Sequence, residues 1–523
     1  MKIKTKLMTA IMSFVLVLGL LSVGVYALNQ AEVTLGGNLT FSASGVYAKV
    51  TGTIANTGNE GGDPTLDYIL FSQSSADQPA GWQQDLAFKE DGSEITYTIT
   101  IENLANDRDI YVSATDTVGA VENVTKSMTN GAFILEAGET QSITIKMKVT
   151  NVNLGLSNAR YDYKVELMDK SAVPAYDANS ALTITCDTEA KTASVTGNNV
   201  TAENSDVVIP AFVKSGDVVC KVTSIGDEAF YYCDTLVSVI IPNSVESIGT
   251  SAFFYCGGLT SITIPDSVET IGSGAFYGCT GLTSITIPDS VTSIGNNAFE
   301  GCSGLTSITI PDSVTSISDY AFSNCSSLET IVVESGNSVY DSRNNCNALI
   351  ETSTNTLITG CKNTIIPEDI QTIGALAFYG RSGLTSITIP DSVTSIGNNA
   401  FQSCSGLTSV TMGNSVQTIG ISAFSGCSGL TSITIPDSVT SIGSSAFSGC
   451  SKLTTVVIDS ETIASALSGE STSVCGYILY KATSIYVKTD IVGSLNSYVS
   501  TNYTNVTTIT EGEYAGYTCY AKA

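Results

Sequence analysis

The chain has 523 residues, a formal net charge of −27, 14 cysteines and no histidine. Without histidine it cannot build a Ser-His-Asp triad, a Cys-His pair or a His-ligated zinc site. With only 22 lysines and arginines it also lacks the basic footprint of a nucleic-acid-binding protein. We therefore predict no catalytic residues, no metal, no cofactor and no nucleic-acid partner.

Residues 1–27 are predicted to be a secretory signal peptide. Three lysines precede an apolar run from Leu7 to Ala27, and the residues just before Ala27 suit signal peptidase, so cleavage is expected after Ala27. The alternative is an uncleaved anchor, because this almost wholly apolar run of 21 residues is long enough to span a membrane. The rest of the chain is expected to be extracellular or on the cell surface, touching a membrane only through this segment if it stays uncleaved.

Residues 28–172 are predicted to form an antiparallel β-sandwich. Apolar and polar side chains alternate over 95–101 and 141–147, which is the period of a strand with one buried face. Turn-forming clusters separate such runs, as in all-β sandwiches. The segment 95–103 is loosely similar to immunoglobulin-like surface modules of bacteria.

A 23-residue repeat organises residues 173–456. The dipeptide Ala-Phe recurs nine times in steps of 23, except for one step of 56 that equals one repeat plus a 33-residue insertion at 334–366. Within a unit, Ile262 and Ile264 predict a short strand with one buried face. The Ala-Phe-x-x-Cys segment that follows predicts one helical turn.

The units are predicted to stack as a solenoid of parallel strands, because a single unit cannot bury its own apolar side chains. A hairpin at 181–197 is expected to cap the first coil, a coil being one 23-residue unit of the solenoid. Residues 457–523 lose the repeat and are expected to form the C-terminal cap, with a strand at 484–487 and a short helix near 493–501.

The unit L-T-S-I-T-I-P-D-S-V-T-S-I-G-x-x-A-F-x-G-C resembles the BspA-type leucine-rich repeats of bacterial and protozoan surface proteins, over about residues 180–456. This resemblance implies a mainly β fold with short helices, a leucine-rich-repeat solenoid preceded here by the β-sandwich. It also implies export to the cell surface and an adhesin-like function, since characterised members bind host matrix proteins or other microbes.

Eight cysteines share one position of the repeat: Cys233, Cys256, Cys279, Cys302, Cys325, Cys404, Cys427 and Cys450. One cysteine per repeat on the buried face predicts free thiols that fill the core, although export favours disulfides. Arg381 takes this position in the unit after the insertion. Because a buried unpaired arginine is costly, the solenoid is expected to be open or irregular there.

Two further cysteines, Cys346 and Cys361, lie in the insertion. A hairpin with its turn at 353–354 would place them directly opposite each other. Direct cross-strand neighbours lie near disulfide range. A disulfide and two buried free thiols are both compatible with the sequence.

Aspartates recur at one position after the repeat's proline: Asp266, Asp289, Asp312, Asp391 and Asp437. A stack of carboxylates could hold calcium, but aspartate also suits a turn because it accepts hydrogen bonds from nearby backbone. Asn243, Glu368 and Asn414 interrupt the series, which favours the turn.

Two groups of residues are candidates for partner contacts. Aromatic residues follow the Ala-Phe motif in the first three units: Tyr231, Tyr232, Phe254, Tyr255 and Tyr277. Such a patch outside the core is either a binding surface or a place where the preceding domain or hairpin docks. The insertion supplies Tyr340, Asp341, Arg343 and Asn344, since excursions from a repeat often gather on the binding face.

The sequence thus predicts a binding protein of adhesin type that recognises an extracellular protein or glycan. The alternative is a structural component of a surface layer or matrix without a specific ligand. An enzyme is not predicted, because the chain has one tryptophan, no G-x-S-x-G motif and no Gly-Lys dipeptide for a P-loop.

Overall fold

A computed structural model describes most of the chain from residue 33 onward. The described residues are 33–44, 48–57, 65–71, 80–83, 86–88, 94–104, 109–116, 124–129, 131–149, 160–168, 170, 173–174, 181–318, 320–466, 482–494 and 497–522. The predicted signal segment, 1–27, lies outside them. Within these ranges, no helix is both long enough and apolar enough to cross a membrane.

The N-terminal part contains eleven described strands in two sheets. They are β1 (Val33–Ser44), β2 (Ala48–Thr57), β3 (Thr65–Phe71), β4 (Ala80–Gln83), β5 (Leu86–Phe88), β6 (Glu94–Asn103), β7 (Ile110–Asp116), β8 (Val124–Thr129), β9 (Ala132–Leu135), β10 (Thr140–Val149) and β11 (Arg160–Met168). One sheet has the order β4-β1-β11-β7-β9, with β5 also on β1, and the other has the order β3-β2-β6-β10-β8. Alternate residues are buried, for example Tyr97, Ile99 and Ile101 of β6, as expected where one face of a sheet is covered.

One strand pair departs from the predicted antiparallel arrangement. β1 runs parallel to β11, with Gly36 opposite Arg160, whereas the other described pairs of these two sheets are antiparallel. Parallel neighbours need a long crossover. The nine strands between β1 and β11 provide it, which period-two patterning alone does not reveal.

The solenoid begins with the predicted capping hairpin and short parallel strands. The strands before the insertion are β12 (Leu182–Asp187), β13 (Thr192–Asn198), β14 (Asp206–Val208), β15 (Phe212–Ser215), β16 (Val218–Ile225), β17 (Ser238–Ile240), β18 (Ser247–Ile248), β19 (Ser261–Thr263), β20 (Thr270–Ile271), β21 (Ser293–Ile294), β22 (Ser307–Ile310), β23 (Ser316–Ile317) and β24 (Thr330–Val333). β12 and β13 form an antiparallel hairpin, and β13 then pairs in parallel with β16.

The insertion and the coils after it continue the same pattern. Their strands are β25 (Tyr340–Asp341), β26 (Ala348–Glu351), β27 (Thr356–Gly360), β28 (Thr372–Ile373), β29 (Ser386–Thr388), β30 (Ser395–Ile396), β31 (Ser409–Thr411), β32 (Thr418–Ile419), β33 (Ser432–Ile435), β34 (Ser441–Ile442) and β35 (Thr455–Ile458). Each coil contributes strand residues to two parallel series of strands, which we call the first ladder (for example β17 and β19) and the second ladder (for example β18 and β20). Paired residues lie 23 apart, as in Ser261 with Ser238 and Thr270 with Ser247. The predicted solenoid of parallel strands is confirmed.

The Ala-Phe-x-x-Cys segment forms tight turns, so the predicted helical turn is wrong. The N–H of Phe253 donates to the carbonyl of Ala275 in the next coil at 2.7 Å, and that of Tyr255 donates to Tyr277 at 2.6 Å. The N–H of Cys256 instead bonds back three residues, to Phe253. A backbone that gives alternate N–H groups to the next coil cannot also make the i to i−4 bonds of an α-helix.

Stacked phenylalanines run through the solenoid beside these turns. The rings of Phe253 and Phe276 have centroids 5.3 Å apart at an interplanar angle of 2°, and Phe276 and Phe299 repeat this at 5.3 Å and 5°. All three rings are fully buried. These stacked rings, which we call the Phe column, therefore form a central part of the solenoid core.

The thiols of the cysteine column are buried and free, as predicted. They also do more than fill space, because the thiol of Cys256 donates to the carbonyl of Phe230 at 3.0 Å, and that of Cys279 donates to Phe253 at 3.1 Å. The same contact, 26 residues back, recurs at Cys302, Cys325, Cys404, Cys427 and Cys450. Burial raises the pKa of Cys279 to about 12, so the reactive thiolate form is suppressed.

Arg381 does not open the solenoid, contrary to the prediction. Its side chain is 1% exposed, and its Nη2 and Nε donate to the carbonyls of Phe322 and Gly360 at 2.7 and 2.8 Å. Phe322 lies 59 residues back, which is the usual 26 plus the 33 of the insertion. Arg381 thus makes the carbonyl contact of a column cysteine across a wider gap, and desolvation lowers its pKa.

The insertion behaves as part of the solenoid rather than as an added loop. β27 joins the second ladder in parallel with β28, pairing Thr356 with Thr372. Gly360 lies under the ring of Phe378, and a Cβ at this glycine would come within 2.1 Å of that ring. The insertion therefore supports the first coil that follows it.

The predicted direct opposition of Cys346 and Cys361 is wrong, and of the two alternatives the structure has the free thiols. The hairpin has the predicted register near its turn, with Glu351 opposite Thr356, but a bulge shifts it so that Ala348 faces Gly360. Both thiols are free. That of Cys361 donates to the carbonyl of Glu329 at 2.9 Å, in the preceding coil.

We expect alkylation under denaturing, non-reducing conditions to label both Cys346 and Cys361. The bulge removes the direct opposition that a disulfide needs, and each thiol is buried in a different core cluster. Peptide mass spectrometry checks this result, with a reduced sample as the control. A mass decrease of about 2 Da in a linked, unlabelled peptide pair would contradict it.

The C-terminal residues close the end of the solenoid. They form α1 (Glu461–Ala466), β36 (Ser484–Lys488), a 3-10 helix at Thr489–Ser494, α2 (Ser497–Asn502), β37 (Asn505–Thr508) and β38 (Tyr517–Ala521). β36 continues the first ladder in parallel with β35, and β38 then pairs with it in the antiparallel direction. The strand predicted at 484–487 is present, and the helix lies at 497–502.

Candidate binding surface

The aromatic residues after the Ala-Phe motif form an ordered surface, which we call the aromatic ladder: Tyr231, Tyr232, Phe254, Tyr255 and Tyr277. The first column stacks Tyr231 on Phe254 at 4.9 Å and Phe254 on Tyr277 at 4.6 Å between ring centroids. The second column stacks Tyr232 on Tyr255 at 5.1 Å. Edge-to-face contacts join the columns, for example Tyr231 with Tyr232 at 4.7 Å.

Three rings of the ladder are open to solvent. Tyr231, Tyr232 and Tyr255 are 42, 57 and 38% exposed. Large exposed aromatic side chains that adjoin one another form a contiguous apolar patch, which in soluble proteins marks an interaction site. The sequence predicted these residues as candidates, and the structure brings all five together.

The second column occupies a left-handed backbone position. Tyr232 and Tyr255 have φ values of +55° and +53°, in the left-handed region that is unfavourable for a residue with a bulky side chain. Glycine takes this position in most other coils: Gly278, Gly301, Gly380, Gly426 and Gly449. Aligning the units by their Ala-Phe motif would have exposed this exchange of glycine for tyrosine.

The ladder ends at the third and fourth coils. A Cβ at Gly278 would lie 2.7 Å from the ring of Tyr255, so the missing side chain makes room for that ring. In the first column, Glu300 follows Tyr277; it is 8% exposed and accepts hydrogen bonds from Asn297 and Asn324. Desolvation, and next the carboxylate of Glu300, raise the pKa of Tyr277 to about 12.

The N-terminal domain meets the solenoid through other residues than the ladder. The rings of Tyr111 and Phe212 touch edge-to-face at 5.5 Å, and the amide of Asn243 donates to a carbonyl of β7 at 3.3 Å. The N–H of Met128 donates to the carboxylate of Asp266. In the described parts of the chain, the N-terminal domain thus docks on the solenoid through these contacts and not through the ladder, which stays exposed.

The candidate residues of the insertion are engaged within the fold. Tyr340 is 7% exposed, and its hydroxyl accepts from the N–H of Ile317 at 3.1 Å, so contacts within the fold account for this side chain. Arg343 makes ion pairs of 2.6 Å with both Asp341 and Asp369. These contacts order the insertion.

Asn344 has a left-handed φ of +59° inside the 3-10 helix Arg343–Asn345. Asparagine tolerates this conformation better than most residues, so the turn accounts for its presence there. A partner-binding role for Asp341, Arg343 and Asn344 stays a prediction.

The repeated aspartates serve different contacts in different coils. Asp391 accepts from the N–H of Asn414 in the next coil at 2.7 Å, while Asp266 accepts from Met128 of the N-terminal domain. Over the described residues, no group of three or more acidic or cysteine side chains has the arrangement of a metal site. Backbone recognition is therefore the role these two contacts support.

The repeats match a known family. The family described as BspA type leucine rich repeat region matches residues 223–349 and 356–468, in six copies. These ranges include the aromatic ladder and the coils on both sides of the insertion. No curated protein sequence matches the chain significantly.

Several solved structures of bacterial repeat proteins are similar to this chain. A leucine rich cell surface protein from Faecalibacterium prausnitzii is 29% identical, over 59% of this chain and 94% of that chain, with a TM-score of 0.43. A leucine-rich repeat protein from Bacteroides ovatus is 32% identical, over 55% and 66%, with a TM-score of 0.40. One from Eubacterium ventriosum is 28% identical, over 55% and 79%, with a TM-score of 0.42.

Proposed function

The repeat region of this chain belongs to the BspA-type leucine-rich repeats, and on that premise we propose that the protein is an exported, adhesin-like binding protein of the cell surface. Its solenoid is a repeat domain for protein interaction, and the aromatic ladder is the surface that contacts the partner. The basic and apolar start of the sequence, residues 1–27, supports export.

The observation that carries this proposal is the placement of Tyr232 and Tyr255. A left-handed conformation costs roughly 1–2 kcal/mol for a residue with a side chain, and glycine avoids that cost in five other coils. Both tyrosines are exposed, so they gain little from burial. Bulky side chains held in such sparsely populated backbone conformations cluster at functional sites.

We expect the double substitution Tyr232→Gly, Tyr255→Gly to abolish partner binding while the chain stays folded. Relief of the left-handed strain at both positions, roughly 1–2 kcal/mol each, offsets much of the loss of the Tyr232–Tyr255 stack and of the edge-to-face contacts of these two exposed rings. The free energy of unfolding is therefore expected to stay within about 1 kcal/mol of the original. Binding is measured on arrays of extracellular proteins and glycans, and stability by urea unfolding.

Tyr320→Asn is the matched control. Tyr320 is also exposed, at 41%, and has a φ of +59°, but it lies outside the ladder. Other coils have asparagine at this position, as Asn297 and Asn399, so the variant is expected to fold normally. It should therefore bind the same array ligands as the original chain. Array ligands that both variants retain would place binding elsewhere, and self-assembly without any array ligand would support the structural role instead.

A further inference from the structure

The stacking of the ladder limits what it can offer a partner. Phe254 has a ring on each of its two faces, and Tyr255 has Tyr232 on one face and Gly278 against it. Among the described residues, the faces without a stacked ring at the upstream end belong to Tyr231 and Tyr232. A long glycan therefore has no row of open ring faces on which successive sugars could stack.

The segment of the chain that carries the ladder has charges of one sign. Residues 222–342 contain 13 aspartates and glutamates and not one lysine or arginine. A surface of one sign raises the local concentration of oppositely charged partners and speeds their association. The coils that carry the ladder lie within this acidic segment.

At the upstream end of the ladder, the open ring faces of Tyr231 and Tyr232 lie close to an acidic side chain, that of Glu228. Desolvation by the neighbouring rings, and then the hydroxyl of Tyr232 and the carboxylate of Glu228, raise the pKa of Tyr231. The N–H of Tyr231 donates to the backbone carbonyl of Glu228 at 3.0 Å, and Glu228 is itself exposed. The face of an aromatic ring is negative and attracts Lys ammonium or Arg guanidinium groups, and a nearby carboxylate strengthens that attraction.

We propose that the ladder binds a lysine- or arginine-rich polypeptide segment, with a cationic side chain on the open faces of Tyr231 and Tyr232 beside Glu228. This proposal rests on the proposed binding function and names its partner class. The phenol oxygens of the remaining tyrosines can accept hydrogen bonds from the same segment. Charge complementarity selects this partner over a glycan or an acidic protein.

The test uses fluorescence anisotropy with the full chain and two labelled probes. One probe is a 12-residue peptide of alternating lysine and glycine, and the other replaces every lysine with its neutral Nε-acetyl form. We expect saturable binding of the lysine probe, at least tenfold weaker binding of the acetylated one, and a several-fold loss of affinity from 50 to 200 mM NaCl because salt screens charge.

The variants separate the ladder from the general charge of the chain. Tyr231→Ser with Tyr232→Gly gives the first coil the residues found at Ser425 and Gly426, and it is expected to weaken lysine-probe binding at least tenfold. Glu228→Gln is expected to weaken it about threefold, and Tyr320→Asn to leave it unchanged. Equal affinity of the tyrosine variant would overturn the inference, because the probe would then follow net charge alone.

The partner class and the binding function can fail separately. A glycan, neutral or acidic ligand that depends on Tyr232 and Tyr255 on the arrays would overturn the basic partner and leave the function intact. The absence of any ladder-dependent ligand, together with no lysine-probe binding, would overturn both.

Discussion

Substitution of Phe276 by alanine is expected to lower the free energy of unfolding by about 3–5 kcal/mol, as for other fully buried phenylalanines. Its ring is stacked between Phe253 and Phe299, at 5.3 Å on each side. Truncation therefore removes two ring contacts and leaves a cavity in the Phe column. Because each coil is stabilised mainly by its neighbours, the coils on both sides should loosen together.

Urea unfolding followed by circular dichroism measures this change. Ser273→Ala, an exposed position in the same coil, is the control and should change stability by less than about 0.5 kcal/mol. Phe276→Leu keeps most of the volume and should fall between the two. A loss below about 1 kcal/mol for Phe276→Ala would mean that the Phe column does not carry the core.

The features that repeat every 23 residues could be predicted from the sequence. A strict period fixes which side chains face inward, so Ile262, Phe276 and Cys279 were each placed correctly in the core. The exposed ladder was also predictable as a set, because aromatic residues interrupt a position that is otherwise small or polar. The backbone conformation at Tyr232 and Tyr255 was not predicted, although the glycines at the same position of five other coils are a signal for it.

The errors arose where coils exchange backbone hydrogen bonds or where the repeat is broken. The turns around Phe253 looked helical because the spacing of buried residues is the same, and only the bonds to the next coil distinguish the two. A single bulge in the insertion shifted Cys346 away from Cys361. Arg381 appeared unpaired because its partner carbonyls, in Phe322 and Gly360, are remote in the sequence.

The contact of Asp266 with the N-terminal domain was likewise outside the reach of the sequence, and it has a consequence for pH dependence. Burial raises the pKa of Asp266 from 3.8 to about 7. The N–H of Met128 and the ammonium of Lys126 act in the opposite direction, whereas the carboxylates of Asp289 and Asp116 raise the pKa further. Protonated Asp266 is thus the form that the folded protein favours.

Stability from this group is expected to be fully present below about pH 4 and to be lost as the pH rises through 7, since the folded pKa lies above the unfolded one. Three pKa units set an upper limit of about 4 kcal/mol. Asp266→Asn is neutral at every pH and keeps an oxygen for the N–H of Met128. Urea unfolding should therefore find this variant up to about 4 kcal/mol more stable than the original chain at pH 8 and equal to it near pH 4.

Asp391→Asn tests whether that difference belongs to the domain contact or to the repeat position. Asp391 holds the same place in its coil, but its carboxylate accepts from Asn414 of the next coil instead of from the N-terminal domain. Its substitution should leave the pH profile of stability unchanged. If both variants shifted the profile alike, the effect would come from the negative charge of the solenoid. If neither did, the carboxylate of Asp266 would remain ionised at the interface, balanced there by Lys126.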